Sequence, residues 1–356
     1  MPVLDLSASS ADLTRAICDV PSVSGEEKVL ADAIDRAVRA LAHLDVYRDG
    51  DTIVARTDLG RAQRVVIAGH IDTVPVNHNL PTRELDEDGE RMLWGRGTVD
   101  MKAGVAVQLK LAAELVSPRV DITWMWYDHE EVDADLNGLT RLSRTRPDLF
   151  AGDFAILGEP SNGQVEGGCN GNLRAVVRTH GVRAHSARAW MGENAIHRAA
   201  PILGRLAGYR PQEVPVDGLA YREGLNAVRI RGGIAGNVIP DLCEVEINYR
   251  FAPSRTPDEA VAHVRAVMDG FEVEVVDLAP GARPGLDAPL AQEFVAAVGA
   301  EPRPKYGWTD VARFSALGVP AVNYGPGDAA LAHHDEERVP LAQIEDVERG
   351  LRAWLS

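Results

Sequence analysis

Four short apolar runs in this chain lead directly into side chains able to bind a metal ion or move a proton. VVIAGHIDT (65–73) delivers His70 and Asp72, WMWYDHEE (124–131) delivers Glu130 and Glu131, and FAILGEP (154–160) delivers Glu159. Val319–Tyr324 leads through GPGD to His333 and His334, and the glycine-rich stretch WGRGTVDMK (94–102) carries Asp100. Singly, a histidine after a strand or an acidic pair on a surface is ordinary. Separate runs that each deliver one imidazole or carboxylate point instead to a shared site. Imidazoles mixed with carboxylates suit zinc, which accepts nitrogen and oxygen donors together. Charge balance favours two ions: two Zn²⁺ are neutralised by Asp100, Glu131, Glu159 and one hydroxide. Asp72, two residues beyond His70, is suited to fixing the imidazole tautomer, and Glu130, beside a ligand, can act as general base. No GxSxG turn is present, so attack by activated water is favoured over a covalent intermediate.

Side chains so far apart in sequence meet only if the runs are strands of one sheet. The runs are short and do not alternate, as expected of strands buried on both faces. Between the first two, Leu109, Ala112, Ala113 and Val116 fall at helical spacing within Lys102 to Val116. Strands alternating with helices predict an α/β layered domain, where functional groups gather beyond the carboxyl ends of the strands. Residues 10–42 read as an amphipathic helix interrupted at Pro21-Ser22-Val23-Ser24-Gly25. Glu26 and Glu27 open its second half, where acids suit the positive end of the helix dipole. The middle third reads as strand Leu173–Thr179, helix Asn194–Tyr209, strands Leu225–Arg231 and Cys243–Phe251, helix Thr256–Met268 and strand Phe271–Leu278. Thr256, Pro257 and Glu259 form a helix-start signature with a capping box. The order βαββαβ predicts a small open-faced, ferredoxin-like α+β sandwich. Residues 173–282 are therefore expected to form a domain inserted into one built from 1–172 and 283–356.

The length of 356 residues suits two domains, and 45% hydrophobic residues provide ample core. A net charge of -16 argues against nucleic acid and against an anionic membrane surface as partners. No apolar run reaches the roughly 18 residues of a membrane span, and MPVLDLSASSADL has no signal-peptide pattern. Cys18, Cys169 and Cys243 form no CxxC pair, so no disulfide framework is expected. A cytoplasmic enzyme acting on a small molecule is the expectation. Within this acidic chain, residues 172–210 hold seven arginines and one acid, Glu193. Guanidinium forks suit an anionic substrate; a solvated face or a subunit contact is the plainer alternative.

The stretches GHIDTVP (69–75), WGRGTVDMKAG (94–104), YDHEEVD (127–133), GEP (158–160), NVIPD (237–241) and AHHDEE (332–337) together resemble the co-catalytic zinc aminoacylases and carboxypeptidases. The resemblance implies a zinc-peptidase-like α/β/α catalytic domain carrying an inserted dimerisation and lid domain. It implies that His70 and Glu159 hold one zinc, Glu131 and His333 the other, and that Asp100 bridges them, with cobalt as an alternative in one position. Glu336 and Glu337, three and four residues after His333, favour that histidine over His334. Glu130 is then the base, and a cis peptide is implied at Asp100–Met101. His185 in RAHSA would enter the partner subunit's active site and polarise the scissile carbonyl, which implies a homodimer. Asn237 and Arg250 would bind substrate from the inserted domain, and Thr309, Arg313 and Gly325 from the catalytic side. Residues 166–197 are most similar to the family's desuccinylases, which implies an N-acyl amino acid, N-succinyl-LL-2,6-diaminopimelate, as substrate. The site motifs alone leave open a related deacylase, such as an acetylornithine deacetylase, or a metallo-dipeptidase.

Overall fold

All seven residues of Asp121–Tyr127 are buried, as only the middle of a sheet covered on both faces allows. In the computed structural model, which describes residues 2–356, this strand is one of four that run parallel. Their order is Asp121–Tyr127, Arg64–His70, Phe154–Leu157 and Ala321–Asn323. The hairpin Asp45–Asp49 and Thr52–Arg56 extends the sheet antiparallel beside Asp121–Tyr127. Helix Lys102–Glu114 is apolar almost all round and buried along most of its length, packed against helices Ser10–Cys18 and Leu341–Leu355. A Cβ on Gly104 of that helix would lie 2.2 Å from the carbonyl oxygen of Gly158, so glycine is what lets helix and strand end approach.

This sheet belongs to a unit made of Met1–Gly167, Pro284–Arg303 and Thr309–Ser356; Gly168–Arg283 and Pro304–Trp308 make a second unit. The second unit has a four-stranded antiparallel sheet in the order Gly224–Gly232, Leu242–Phe251, Gly171–His180 and Glu272–Ala279. Along Leu242–Phe251, Val245, Ile247 and Tyr249 are buried between less buried polar neighbours. They pack with Ile202, Ala260 and Val264 of the helices over one face. The capping box forms as expected: Glu259 N–H donates to Thr256 Oγ1 at 3.2 Å and Thr256 N–H to Glu259 Oε2 at 2.8 Å. Both the α/β sheet and the βαββαβ sandwich agree with the expected fold class.

Some elements differ from expectation. The stretch Asn194–Tyr209 is two helices, Ala195–Arg198 and Ala200–Ala207, because Pro201 has no N–H to continue the first. Among the pairings not anticipated are Arg83–Glu87 with Glu90–Trp94, joined to Arg338–Pro340, and Glu213–Val216 with Leu219–Arg222. Their strands are largely exposed or charged, so burial gives no pattern. The signal lies in the turns: Asp88-Gly89 and Asp217-Gly218 are all at positive φ, as two-residue hairpin turns require.

Glu223 is buried beneath the sandwich and accepts from Arg255 Nε (2.6 Å), Tyr249 Oη (3.0 Å) and the N–H of Ala252 (3.0 Å). Burial alone would raise its pKa, but Arg255 and the other donors hold it below its ordinary value. A carboxyl whose folded pKa is depressed stabilises the fold above its unfolded pKa, about 4.3, and loses that stabilisation as pH falls through the folded value. Glu223→Gln is therefore expected to cost about 2 kcal/mol at pH 7. In urea unfolding, the gap to the unsubstituted protein should close as pH falls below about 4; a gap independent of pH would contradict this account.

Candidate metal centre

His70 closes its strand and is 1% exposed. Its Nε2 lies 3.0 Å from Asp100 Oδ1 and 4.0 Å from Glu159 Oε1. The other oxygen of Asp100 is 3.5 Å from His333 Nε2, which in turn lies 2.9 Å from Glu131 Oε2. One carboxylate thus faces two imidazoles, and each imidazole has a further carboxylate beside it. His70, Asp100 and Glu131 each place a donor atom within 4.8 Å of the other two. Donors on a tetrahedral zinc with bonds of about 2.0–2.1 Å stand roughly 3.3 Å apart, so the spacing suits such an ion. His334, the next residue, is exposed, and the Asp100–Met101 peptide is cis.

The electrostatics point the same way. Burial works to raise the pKa of Asp100, but His333 and His70 hold it well below the usual range. Asp100 and Glu131 push His333 up to about 10. Burial opposes protonation of His70, yet Asp100 and Asp72 hold its pKa well above the ordinary value. Acids that draw protons onto two imidazoles are short of positive charge. A divalent cation would supply that charge and leave the ring nitrogens as ligands. Glu130 is pushed well above its usual range, chiefly by burial; His70 opposes this, and Asp310, Glu159 and Glu131 add to it.

Several buried groups hold these side chains in place. Asp72 accepts the N–H of Glu130 at 3.0 Å, the N–H of Glu131 at 3.1 Å and the hydroxyl of Ser24 at 2.6 Å. The nearest acceptor to His70 Nδ1 is the backbone carbonyl of Asp72 at 3.1 Å, with its carboxylate at 3.4 Å. The Asp72 carboxylate therefore braces the turn carrying Glu130 and Glu131 at least as much as it sets the imidazole. Glu337 Oε1 accepts the N–H groups of Val99 (2.9 Å) and Asp100 (3.1 Å), and its Oε2 accepts from Arg96 (2.8 Å). Arg96 reaches on to the carbonyls of His334 and His333 at 3.3 and 3.5 Å. This buried pair ties the loop of Asp100 to that of His333. Sequence reasoning used Glu337 only as a marker beside His333, since an acid in a polar loop gives no sign of burial.

The residues expected around the substrate are distributed over both units. Thr309 donates to Asn323 Oδ1 at 3.0 Å. Arg313 is ion-paired with the buried Asp310, which also accepts from Asn137 at 3.0 Å. A Cβ on Gly325 would lie 2.2 Å from the Gly158 oxygen and 2.6 Å from the Glu159 oxygen, so this glycine sets how closely the chain passes the Glu159 backbone. In the second unit, the short pair Ala184–His185 and Val238–Ile239 brings His185 next to Asn237, whose carbonyl accepts the N–H of Ser186 at 2.9 Å. His185 is exposed, and its Nδ1 accepts the N–H of Ala187 at 3.0 Å. Arg250 Nε donates to Asn248 at 3.2 Å. Most of the arginine surplus is committed within the unit: Arg174, Arg178, Arg183 and Arg198 are ion-paired, and Arg205 donates to backbone carbonyls. Among the described residues, Arg188 and Arg210 of the seven have no such ion pair and best suit the anionic-substrate reading.

Comparison with known proteins gives matches along the whole chain. Residues 66–356 match the model of Peptidase family M20/M25/M40. The chain is 51% identical, over 99% of both sequences, to a Mycobacterium tuberculosis protein provisionally named succinyl-diaminopimelate desuccinylase DapE. It is 48% identical to the succinyl-diaminopimelate desuccinylase of Corynebacterium glutamicum, covering 100% of this chain and 98% of that one. Among solved structures, a tripeptidase from Staphylococcus aureus is similar in fold, with a TM-score of 0.79 at 20% identity over 99% of this chain and 98% of that one. A metallo-carboxypeptidase from Sulfolobus solfataricus gives 0.77 at 16% identity over 98% and 99%.

Because an added Cβ at Gly325 meets the Glu159 backbone, Gly325→Ala is expected to displace that carboxylate. Metal affinity at the site that includes Glu159 should fall about 10- to 100-fold, read by competition with a chelator. Unchanged metal affinity would show that Gly325 does not set the position of Glu159.

Proposed function

The chain belongs to Peptidase family M20/M25/M40, and from that premise we propose that it hydrolyses N-succinyl-LL-2,6-diaminopimelate to succinate and LL-2,6-diaminopimelate, a step of diaminopimelate and lysine biosynthesis. The substrate follows the names of its 51% and 48% identical relatives. The observation that carries the chemistry is the single carboxylate of Asp100 facing two imidazoles, each with its own acid. Two zinc ions are the proposed cofactor, with cobalt as an alternative in one position. His70 and Glu159 would hold one, Glu131 and His333 the other, with Asp100 between them. When bound, such ions polarise the amide carbonyl and acidify water.

Glu130 takes a proton from the attacking water as its oxygen adds to the amide carbon. The carbon–nitrogen bond then breaks, and Glu130 returns the proton to the leaving amine. Asp72 holds the turn that carries this base. His185 donates to the oxyanion as it develops, Asn237 and Arg250 bind substrate from the inserted unit, and Thr309, Arg313 and Gly325 line the catalytic side. His185 acts across a homodimer in this reading. The edge strand Gly224–Gly232, with Val228 and Ile230 exposed, supports such pairing. A cytoplasmic location, where thiols stay reduced, accords with three buried free cysteines. Among the described residues no helix is long and apolar enough to cross a membrane.

Glu130→Gln is expected to keep about two zinc ions per chain while kcat falls roughly 10³-fold; near-normal turnover would remove Glu130 as the base. In a panel of N-succinyl-LL-2,6-diaminopimelate, N-acetylornithine and dipeptides, assayed by released amine, the succinylated compound should have the highest kcat/KM. Faster turnover of either rival would overturn the substrate assignment while leaving the metal chemistry in place.

A further inference from the structure

The segment that interrupts the two N-terminal helices lies against the metal centre's scaffold. Val23 bridges to Thr73, Ser24 N–H donates to the Thr73 carbonyl at 3.1 Å, and Thr73 N–H donates to the Ser22 carbonyl at 3.0 Å. Ser22 Oγ donates to the Ile71 carbonyl at 2.6 Å. The segment ends at Glu27, 1% exposed, immediately before helix Lys28–Arg39. An acid in that place commonly caps its own helix. Glu27 makes no such bond. Its Oε1 instead accepts the backbone N–H of His129 at 3.2 Å and lies 3.4 Å from His129 Nδ1.

Three successive backbone N–H groups, those of His129, Glu130 and Glu131, therefore end on carboxylate oxygens: Glu27 Oε1, Asp72 Oδ1 and Asp72 Oδ2. His129 stands in the left-handed region, with a φ of 58°, which a residue bearing a side chain holds only where its surroundings fix it. The opposite flank is fixed as well: Asp128 accepts from the Thr52 hydroxyl and from Arg141 at 2.9 Å, and lies 2.7 Å from His129 Nδ1. Among the described residues, Glu27 has no hydrogen bond or ion pair with any of the five proposed metal ligands. Beyond the backbone N–H groups of Gly25 and of Glu27 itself, its contacts run to the turn and not to the ions' donors.

We propose that Glu27 is a positioning residue for the hydrolysis, holding the His129 amide so that the turn presents Glu130 at the right place for proton transfer. The inference rests on the reading of Glu130 as base. Small displacements of a reacting group cost large factors in rate, so loss of this brace should appear in kcat. Metal content and KM should be spared.

The test uses the full-length, zinc-loaded enzyme and the amide that it hydrolyses fastest, with rates expressed per metal-loaded site. Glu27→Leu fills the buried space without an acceptor, whereas Glu27→Gln keeps an oxygen for the His129 amide. The expected result is a kcat about 30-fold lower for Glu27→Leu, with KM within about twofold and zinc content unchanged, and Glu27→Gln within about threefold of the unsubstituted enzyme. Glu27→Ala substitutes for Glu27→Leu if the latter does not fold. Kcat within about threefold in the variant lacking the acceptor, a loss explained by missing zinc, or a Glu27→Gln enzyme equally impaired would each overturn the proposal. So would failure of both Glu27→Leu and Glu27→Ala to fold, which would make Glu27 a residue of the fold. An active Glu130→Gln enzyme would instead remove the base itself, whereas an inactive one beside an unimpaired Glu27→Leu sinks only the role of Glu27.

Discussion

Crowding of carboxylates around Asp100 is the constraint to which the rest of the catalytic unit answers. Two like charges at about 4 Å repel by roughly 4 kcal/mol at an effective dielectric of 20, and here Asp100, Glu131 and Glu159 share one end of a sheet with Glu130. His70 and His333 lie beside these carboxylates and offset part of the repulsion, while two further buried acids that carry donors of their own hold the surrounding loops. Asp72 is surrounded by two backbone N–H groups and a hydroxyl, and Glu337 by two N–H groups and Arg96. These two buried acids act as struts. One holds the turn after Asp121–Tyr127, and the other holds together the loops of Asp100 and His333.

The sheet explains why such a site can form at all. Parallel strands end at the same edge, so His70, Glu131 and Glu159 reach a common place although 89 positions separate the first from the last in sequence. Close passage of backbone at Gly104 against Gly158, and at Gly325 against Gly158 and Glu159, keeps that edge compact. Side chains there would push apart elements whose separation sets the donor spacing.

The short buried runs and the residues after them were readable in the sequence because burial on both faces leaves an uninterrupted apolar signature. Capping at Thr256 and Glu259 was readable for a local reason, since the residues that make the box are three apart. Less legible were groups whose role depends on a distant partner. Glu337 and Glu27 look like any surface acid until the fold buries them. The arginine-rich stretch looked like a carboxylate-binding face, yet Arg174 and Arg178 meet acids on neighbouring strands of their own sheet. Those partners come from residues 244–277, outside any window that local composition can examine. The charged hairpin strands were missed because exposure removes the apolar pattern, although their Asp-Gly turns were in plain view.

In the proposed centre, Asp100 serves two cations at once through its two oxygens. Zinc titration of Asp100→Asn, followed calorimetrically beside the unsubstituted protein, tests it most directly. Two zinc equivalents should bind tightly to the unsubstituted chain, and both affinities should fall by at least about 100-fold together in the variant. Retention of one site at full affinity would contradict a shared carboxylate and leave a mononuclear centre in its place.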